Sequence, residues 1–115
     1  MDKSKAVETI KQFINLILTD VEAASELISE DFVWENFLPK HMPFGGRYEG
    51  MSGLKTYLGQ LAEYWTVGGM DFVEFIFDSE TKVTVGHIIE NDGRSLITGR
   101  SCDLDAMWEF RFTDD

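Results

Sequence analysis

Cysteine is nearly absent from this chain of 115 residues, where Cys102 stands alone. No intramolecular disulfide can form, and a cysteine-rich zinc site is excluded. Basic side chains are scarce too: 10 Lys and Arg face 21 Asp and Glu, a formal net charge of −11. A phosphate-binding surface needs the reverse balance, so no nucleic-acid partner is expected. Only two prolines occur, Pro39 and Pro43, and no Pro- or Ser-rich linker divides the chain. No run approaches the ~20 apolar residues that span a bilayer, so no membrane partner is expected. The first eleven residues are charged and lack the apolar centre of a signal peptide, which makes the cytoplasm the expected location.

What is present is enough for a core. Apolar residues make up 43% and aromatics 13%, too much for a disordered acidic tail. The length suits one domain, residues 1–115. Ile10, Phe13, Ile14 and Ile17 recur at spacings of three and four, predicting a helix over Lys5 to Leu18. Ala6 and Val7 extend its stripe, and Ser4 could cap it. Thr19-Asp20-Val21-Glu22 has the form of a capping box and opens a short second helix. Phe32-Val33-Trp34 reads as a strand. Asn36 to Gly50 holds both prolines and three glycines, so it reads as a loop. A third helix carries Leu54, Tyr57, Leu58, Leu61 and Trp65, and Gly68-Gly69 ends it.

Strands follow over Met70–Phe77, Lys82–Glu90 and Leu96–Phe112, with turn chemistry at Asp78-Ser79-Glu80 and Asn91-Asp92-Gly93. The order predicts an α+β fold, an antiparallel sheet covered on one face by helices. In the last strand Cys102, Leu104, Ala106, Trp108, Phe110 and Phe112 alternate with Asp103, Asp105, Met107, Glu109 and Arg111. The first set should face a core and the second water. The same test on the strand before it groups Val83, Val85, His87 and Ile89, which makes His87 a polar group on an apolar stripe.

The segment from Pro43-Phe44-Gly45-Gly46-Arg47-Tyr48-Glu49-Gly50 to Met51-Ser52-Gly53-Leu54 resembles the loop-into-helix signature of SnoaL-like proteins. Leu27-Ile28-Ser29-Glu30-Asp31-Phe32-Val33-Trp34 resembles their junction between second helix and first strand. Thr98-Gly99-Arg100 and Trp108-Glu109-Phe110-Arg111-Phe112 resemble their long strand. The resemblance covers nearly the whole chain. It implies the cone-like barrel of the nuclear transport factor 2-like (NTF2-like) superfamily, a curved antiparallel sheet wrapped around three N-terminal helices. In that family another strand usually follows the long one, and here the sequence stops at Thr113-Asp114-Asp115.

The superfamily includes ketosteroid isomerases, polyketide cyclases, epoxide hydrolases and proteins that only bind. Phe13, Trp108 and Asn36 align with the three functional positions of the isomerases. Phe13 and Trp108 lack the hydroxyl and carboxyl needed there, and Asn36 cannot accept a proton at neutral pH. A standard ketosteroid isomerase is therefore not expected. SnoaL-type cyclases resemble this chain in placing a histidine where His87 stands, while their aspartate base has only the outward Asp103 and Asp105 as counterparts.

His87 is the candidate acid/base, with a core histidine bonded to a backbone carbonyl as the competing reading. Trp34 and Asn36 sit where the first strand should meet a cavity, and Asn36 can orient a substrate oxygen or satisfy the loop backbone. Phe13, Tyr57, Val85, Trp108 and Phe110 complete the candidate ligand pocket, although aromatics at such spacings also build plain core. His41 could flank the pocket mouth. No metal is expected, because two distant histidines form no ligand set, and no cofactor motif occurs. The expected function is binding of a hydrophobic small molecule, with proton transfer on a carbonyl compound as the chemistry of an enzyme built this way. The rival is a non-catalytic interaction or ligand-sequestering module. The resemblance also implies a homodimer formed through the outer sheet face, where Met107 points.

Overall fold

A computed structural model describes residues 2–36, 45–78 and 82–112. His41, both prolines, Phe44, the Ser79-Glu80 turn and Thr113-Asp114-Asp115 lie outside the described residues. Helix α1 spans Lys3–Thr19 and buries Ala6, Ile10, Phe13, Ile14 and Ile17, the predicted stripe. It starts earlier than its apolar period suggests, so its cap is Asp2 rather than Ser4. The Asp2 carboxylate accepts the Lys5 N–H at 2.7 Å. A short α2, Val21–Ala24, continues as a 3-10 turn over Ser25–Leu27. Asp20 caps it, accepting the Ala23 N–H at 3.4 Å. Thr19 instead donates back to the Asn15 carbonyl, and Glu22 pairs with Lys55 across helices, so the predicted capping box does not close.

Strand β1, Val33–Asn36, pairs antiparallel with β2, Gly46–Glu49, a strand inside the segment read as loop. Trp34 lies opposite Tyr48 and Asn36 opposite Gly46. Gly50, at φ +67°, turns the chain from β2 into α3, Gly50–Tyr64, in a conformation that a side chain disfavours. Its N–H donates to the Phe32 carbonyl at 2.7 Å, tying the helix start to the entry of β1. Trp65 leaves the helix to open a two-residue strand, β3 (Trp65–Thr66).

The larger sheet is antiparallel: β4 (Gly69–Phe77) and β6 (Ser101–Arg111) flank the long central β5 (Val83–Ser95), and β3 pairs with its far end. This is an α+β fold with an open, curved sheet, as expected. Two boundaries move. Asn91-Asp92-Gly93 is a bulge inside β5, with Asp92 at φ 51° and its N–H held by the Asp103 carboxylate at 2.9 Å. The chain reverses later, through Leu96–Gly99. Ile10, Ile14, Leu54 and Ile88 are fully buried between α1, α3 and the sheet. Each such side chain contributes roughly 1.5–3 kcal/mol by leaving water. Among the described residues no helix is long and apolar enough to cross a membrane.

Candidate functional site

Alternation in β6 holds for its second half: Ala106, Trp108, Phe110 and Phe112 are partly buried, while Cys102 and Leu104 are exposed beyond the helices. Register carries that assignment to β5. Gly86 lies opposite Trp108, Ile88 opposite Ala106 and Thr84 opposite Phe110, so these residues face inward. The predicted inner face of β5 is therefore reversed. Val85 lies between Ile76 and Glu109, and His87 between Glu74 and Met107, on the outer face. The physical reason is volume. Rings from the flanking strands fill the inner side, and a Cβ at Gly86 would already sit 3.1 Å from the Phe75 ring. The central strand gives Thr84, Gly86 and Ile88 to that side and Val83, Val85, His87 and Ile89 to the other. His87 Nε2 pairs there with the Asp105 carboxylate, at the surface.

The remaining candidates come together. Trp34 is the hub: its ring centroid lies 4.9 Å from Tyr57, 5.4 Å edge-on from Trp108 and 6.4 Å from Phe13. Phe110 stacks on Trp108 at 6.1 Å. Tyr48, which sequence reasoning left out, adds a contact to Tyr57 at 5.3 Å, and its hydroxyl donates to Gln60 Oε1 at 2.9 Å. Asn36 shares the inward face of β1 with Trp34, and its side chain acts to lower the pKa of the Tyr57 hydroxyl.

Glu90 is the second omission. It stands two residues beyond Ile88 on the inward face of β5, half-buried, with no hydrogen bond or ion pair among the described residues. Loss of water raises its pKa above the ordinary carboxylate value. Burial also raises the Tyr57 pKa, and the nearby Glu90 charge adds to this, while Asn36 and Trp34 oppose it and Tyr48 adds a little. The Trp34 indole N–H acts on the phenol without reaching hydrogen-bond geometry and is buried without an acceptor. The signal for Glu90 was present in the sequence: once Ile88 faces inward, period two brings Glu90 with it.

No family model matches the chain, and no curated protein matches it in sequence. Solved structures do match. An NTF2-like protein from Burkholderia xenovorans superposes with a TM-score of 0.76 at 19% identity, over 99% of this chain and 84% of that one. A proposed SnoaL-like polyketide cyclase from Mesorhizobium loti gives 0.68 at 16% identity, over 94% and 89%. The chain has the NTF2-like fold. A further neighbour, a protein with a ketosteroid isomerase-like fold from Catenulispora acidiphila in complex with trimethylamine, gives 0.73 at 9% identity, over 93% and 77%.

On this NTF2-like scaffold the ring cluster, Asn36 and Glu90 share the inner side, and the His87–Asp105 pair sits outside. Two shallow grooves run along α1, one lined by Glu8, Lys11, Gln12, Asn15 and Leu16, the other by Lys3, Ser4, Val7 and Phe77. Neither meets the ring cluster. Among the described residues no three His, Cys, Asp or Glu side chains are set to hold a metal ion. The inner arrangement offers an apolar ring surface, a hydroxyl and amide pair, a free indole N–H and one carboxylate.

Proposed function

We propose that this NTF2-like domain binds a hydrophobic small molecule at the inner ring cluster, with Asn36, Tyr57 and Glu90 as the polar end of the site. The observation that carries the reading is Glu90, a half-buried carboxyl on the same inner side as the ring cluster, with no partner among the described residues. The resemblance to SnoaL-like proteins supports a small-molecule ligand, and one structural neighbour is a complex with a small molecule, trimethylamine. The same resemblance supports a homodimer through the outer sheet face.

A thermal-shift screen against steroids, aromatic polyketides, terpenoids, short acyl compounds and amines tests the reading. A ligand at 100 times its dissociation constant stabilises the fold by about 2.7 kcal/mol. Hits should weaken in Trp34→Phe and Trp108→Leu and persist in His87→Ala. Hits abolished by His87→Ala and indifferent to both tryptophans would overturn the inner site.

A catalytic reading is favoured by the raised pKa of Glu90 beside two hydrogen-bond donors. Glu90 would take a proton from carbon next to a carbonyl, and the Tyr57 hydroxyl and Asn36 amide would hold the developing oxyanion. Glu90→Gln should then lower turnover of an identified carbonyl substrate about 100-fold or more, the usual share of a general base. Turnover unchanged in Glu90→Gln would overturn Glu90 as the base.

A further inference from the structure

We infer that the free edge of β6 pairs with β6 of a second copy, antiparallel about a two-fold axis at Trp108. The contact extends the larger sheet sideways and is separate from the outer-face homodimer proposed above.

Backbone hydrogen bonding decides what the edge offers. The Phe112 N–H donates to the Lys82 carbonyl at 2.7 Å, so these two residues form a hydrogen-bonded pair of the β5–β6 ladder. The register runs unbroken from Val83 opposite Arg111 to Glu90 opposite Leu104. Alternation along it gives β5 the N–H and C=O groups of Leu104, Ala106, Trp108 and Phe110, and turns those of Asp105, Met107, Glu109 and Arg111 away from β5. The bond from the Asp78 N–H to the Val83 carbonyl, 3.1 Å on the other side of β5, obeys the same alternation. β1 and β2 form a sheet of their own, and among the described residues no strand pairs with β6 on its far side. Asp105, Met107, Glu109 and Arg111 are all exposed. Such a row of unpaired backbone groups is a template for another strand.

Side chains select the occupant and the register. Residues directly opposed in an antiparallel pair share a face, so a two-fold axis must sit at a residue of β6. At Leu104 it opposes Asp103 with Asp105, at Ala106 Asp103 with Glu109, and at Met107 Asp105 with Glu109. At Asp105 or Glu109 it opposes a carboxylate with its own copy. At Phe110 it engages residues 108–112 alone. At Trp108 no like charges meet. Asp105 then faces Arg111 of the second copy at both ends, and Met107 faces Glu109. On the inner side Leu104 faces Phe112, Ala106 faces Phe110 and the two Trp108 side chains adjoin. Leu104, 40% exposed in the single chain, gains an aromatic neighbour this way. Arg111 already holds Glu109, and its guanidinium has donors left for Asp105.

The test is charge reversal on the full chain, read by sedimentation equilibrium. Asp105→Arg alone opposes two guanidinium groups and Arg111→Asp alone opposes two carboxylates, so each should self-associate about tenfold more weakly than the natural chain. Mixed in equal amounts, the two variants are complementary at both ends and should associate near the natural affinity. Glu109→Pro removes an N–H that points away from β5 and should abolish association, whereas Glu109→Gln should keep it. A mixture no more associated than its components overturns the inference, as does a cooperatively melting Glu109→Pro that associates like Glu109→Gln. If Glu109→Pro fails to melt cooperatively, the mixture decides. A natural chain that is monomeric throughout overturns it too. Association of the natural chain that neither reversal weakens also overturns it, and leaves the outer-face dimer standing.

Discussion

Glu90 makes the fold less stable where its carboxyl is charged. Burial raises its pKa in the folded state, so the native protein binds this proton more tightly than the unfolded chain. The sign follows: the favourable proton binding acts at low pH and is lost as pH rises from the unfolded value through the folded one. Glu90→Gln should therefore melt higher than the natural chain at pH 7, and the gap should close as pH falls below the ordinary carboxylate range. Melting curves of both proteins across that window decide it. A gap that widens in acid would show that Glu90 finds a cation in the fold. His87, which sequence reasoning preferred as the ionisable group of the site, faces Glu74 and Asp105 on the outside.

Among the elements, β5 explains how much could be read and why reading stopped. The α1 stripe was legible because one face is apolar and the other charged, leaving a single solution to the packing. In β6 charges likewise mark the outer face. In β5 both faces are apolar over Val83–Ile89, so alternation alone had two answers and chose the bulkier face. Only the register to β6, a long-range pairing, breaks the tie. Trp34, Tyr57 and Trp108 could be grouped from the sequence as candidates and do meet as one ring cluster, while Glu90 could not be added until that tie was broken. The Asn91-Asp92-Gly93 bulge misled in the same way, since its residues are those of a turn. What keeps the strand running is Trp65, whose ring covers Gly93: a Cβ there would lie 2.9 Å from Cε2 and 3.1 Å from Nε1. Gly93→Ala should cost about 1–3 kcal/mol, the usual penalty for overpacking, measured by denaturant titration. A neutral substitution would mean that Trp65 can move aside at no cost.

For the whole molecule, charge and apolar surface pull in opposite directions, which separates the inner site from the outer face. Val73, Ile76 and Met107 are 52%, 53% and 61% exposed around the His87–Asp105 pair. A second copy laid on this face by a two-fold axis would cover the same residues on both sides. Two chains of −11 repel each other, so the proposed dimer should strengthen as salt screens that repulsion. Sedimentation equilibrium at micromolar concentration should thus show a dimer that tightens from ~0.01 to ~0.15 M ionic strength, a range over which the Debye length shrinks from about 30 to 8 Å. Met107→Glu places a charge on each side of the interface and should return the protein to monomer without touching ligand affinity. A monomer at every salt concentration would refute the dimer, and a dimer that Met107→Glu leaves intact would move the contact to another face.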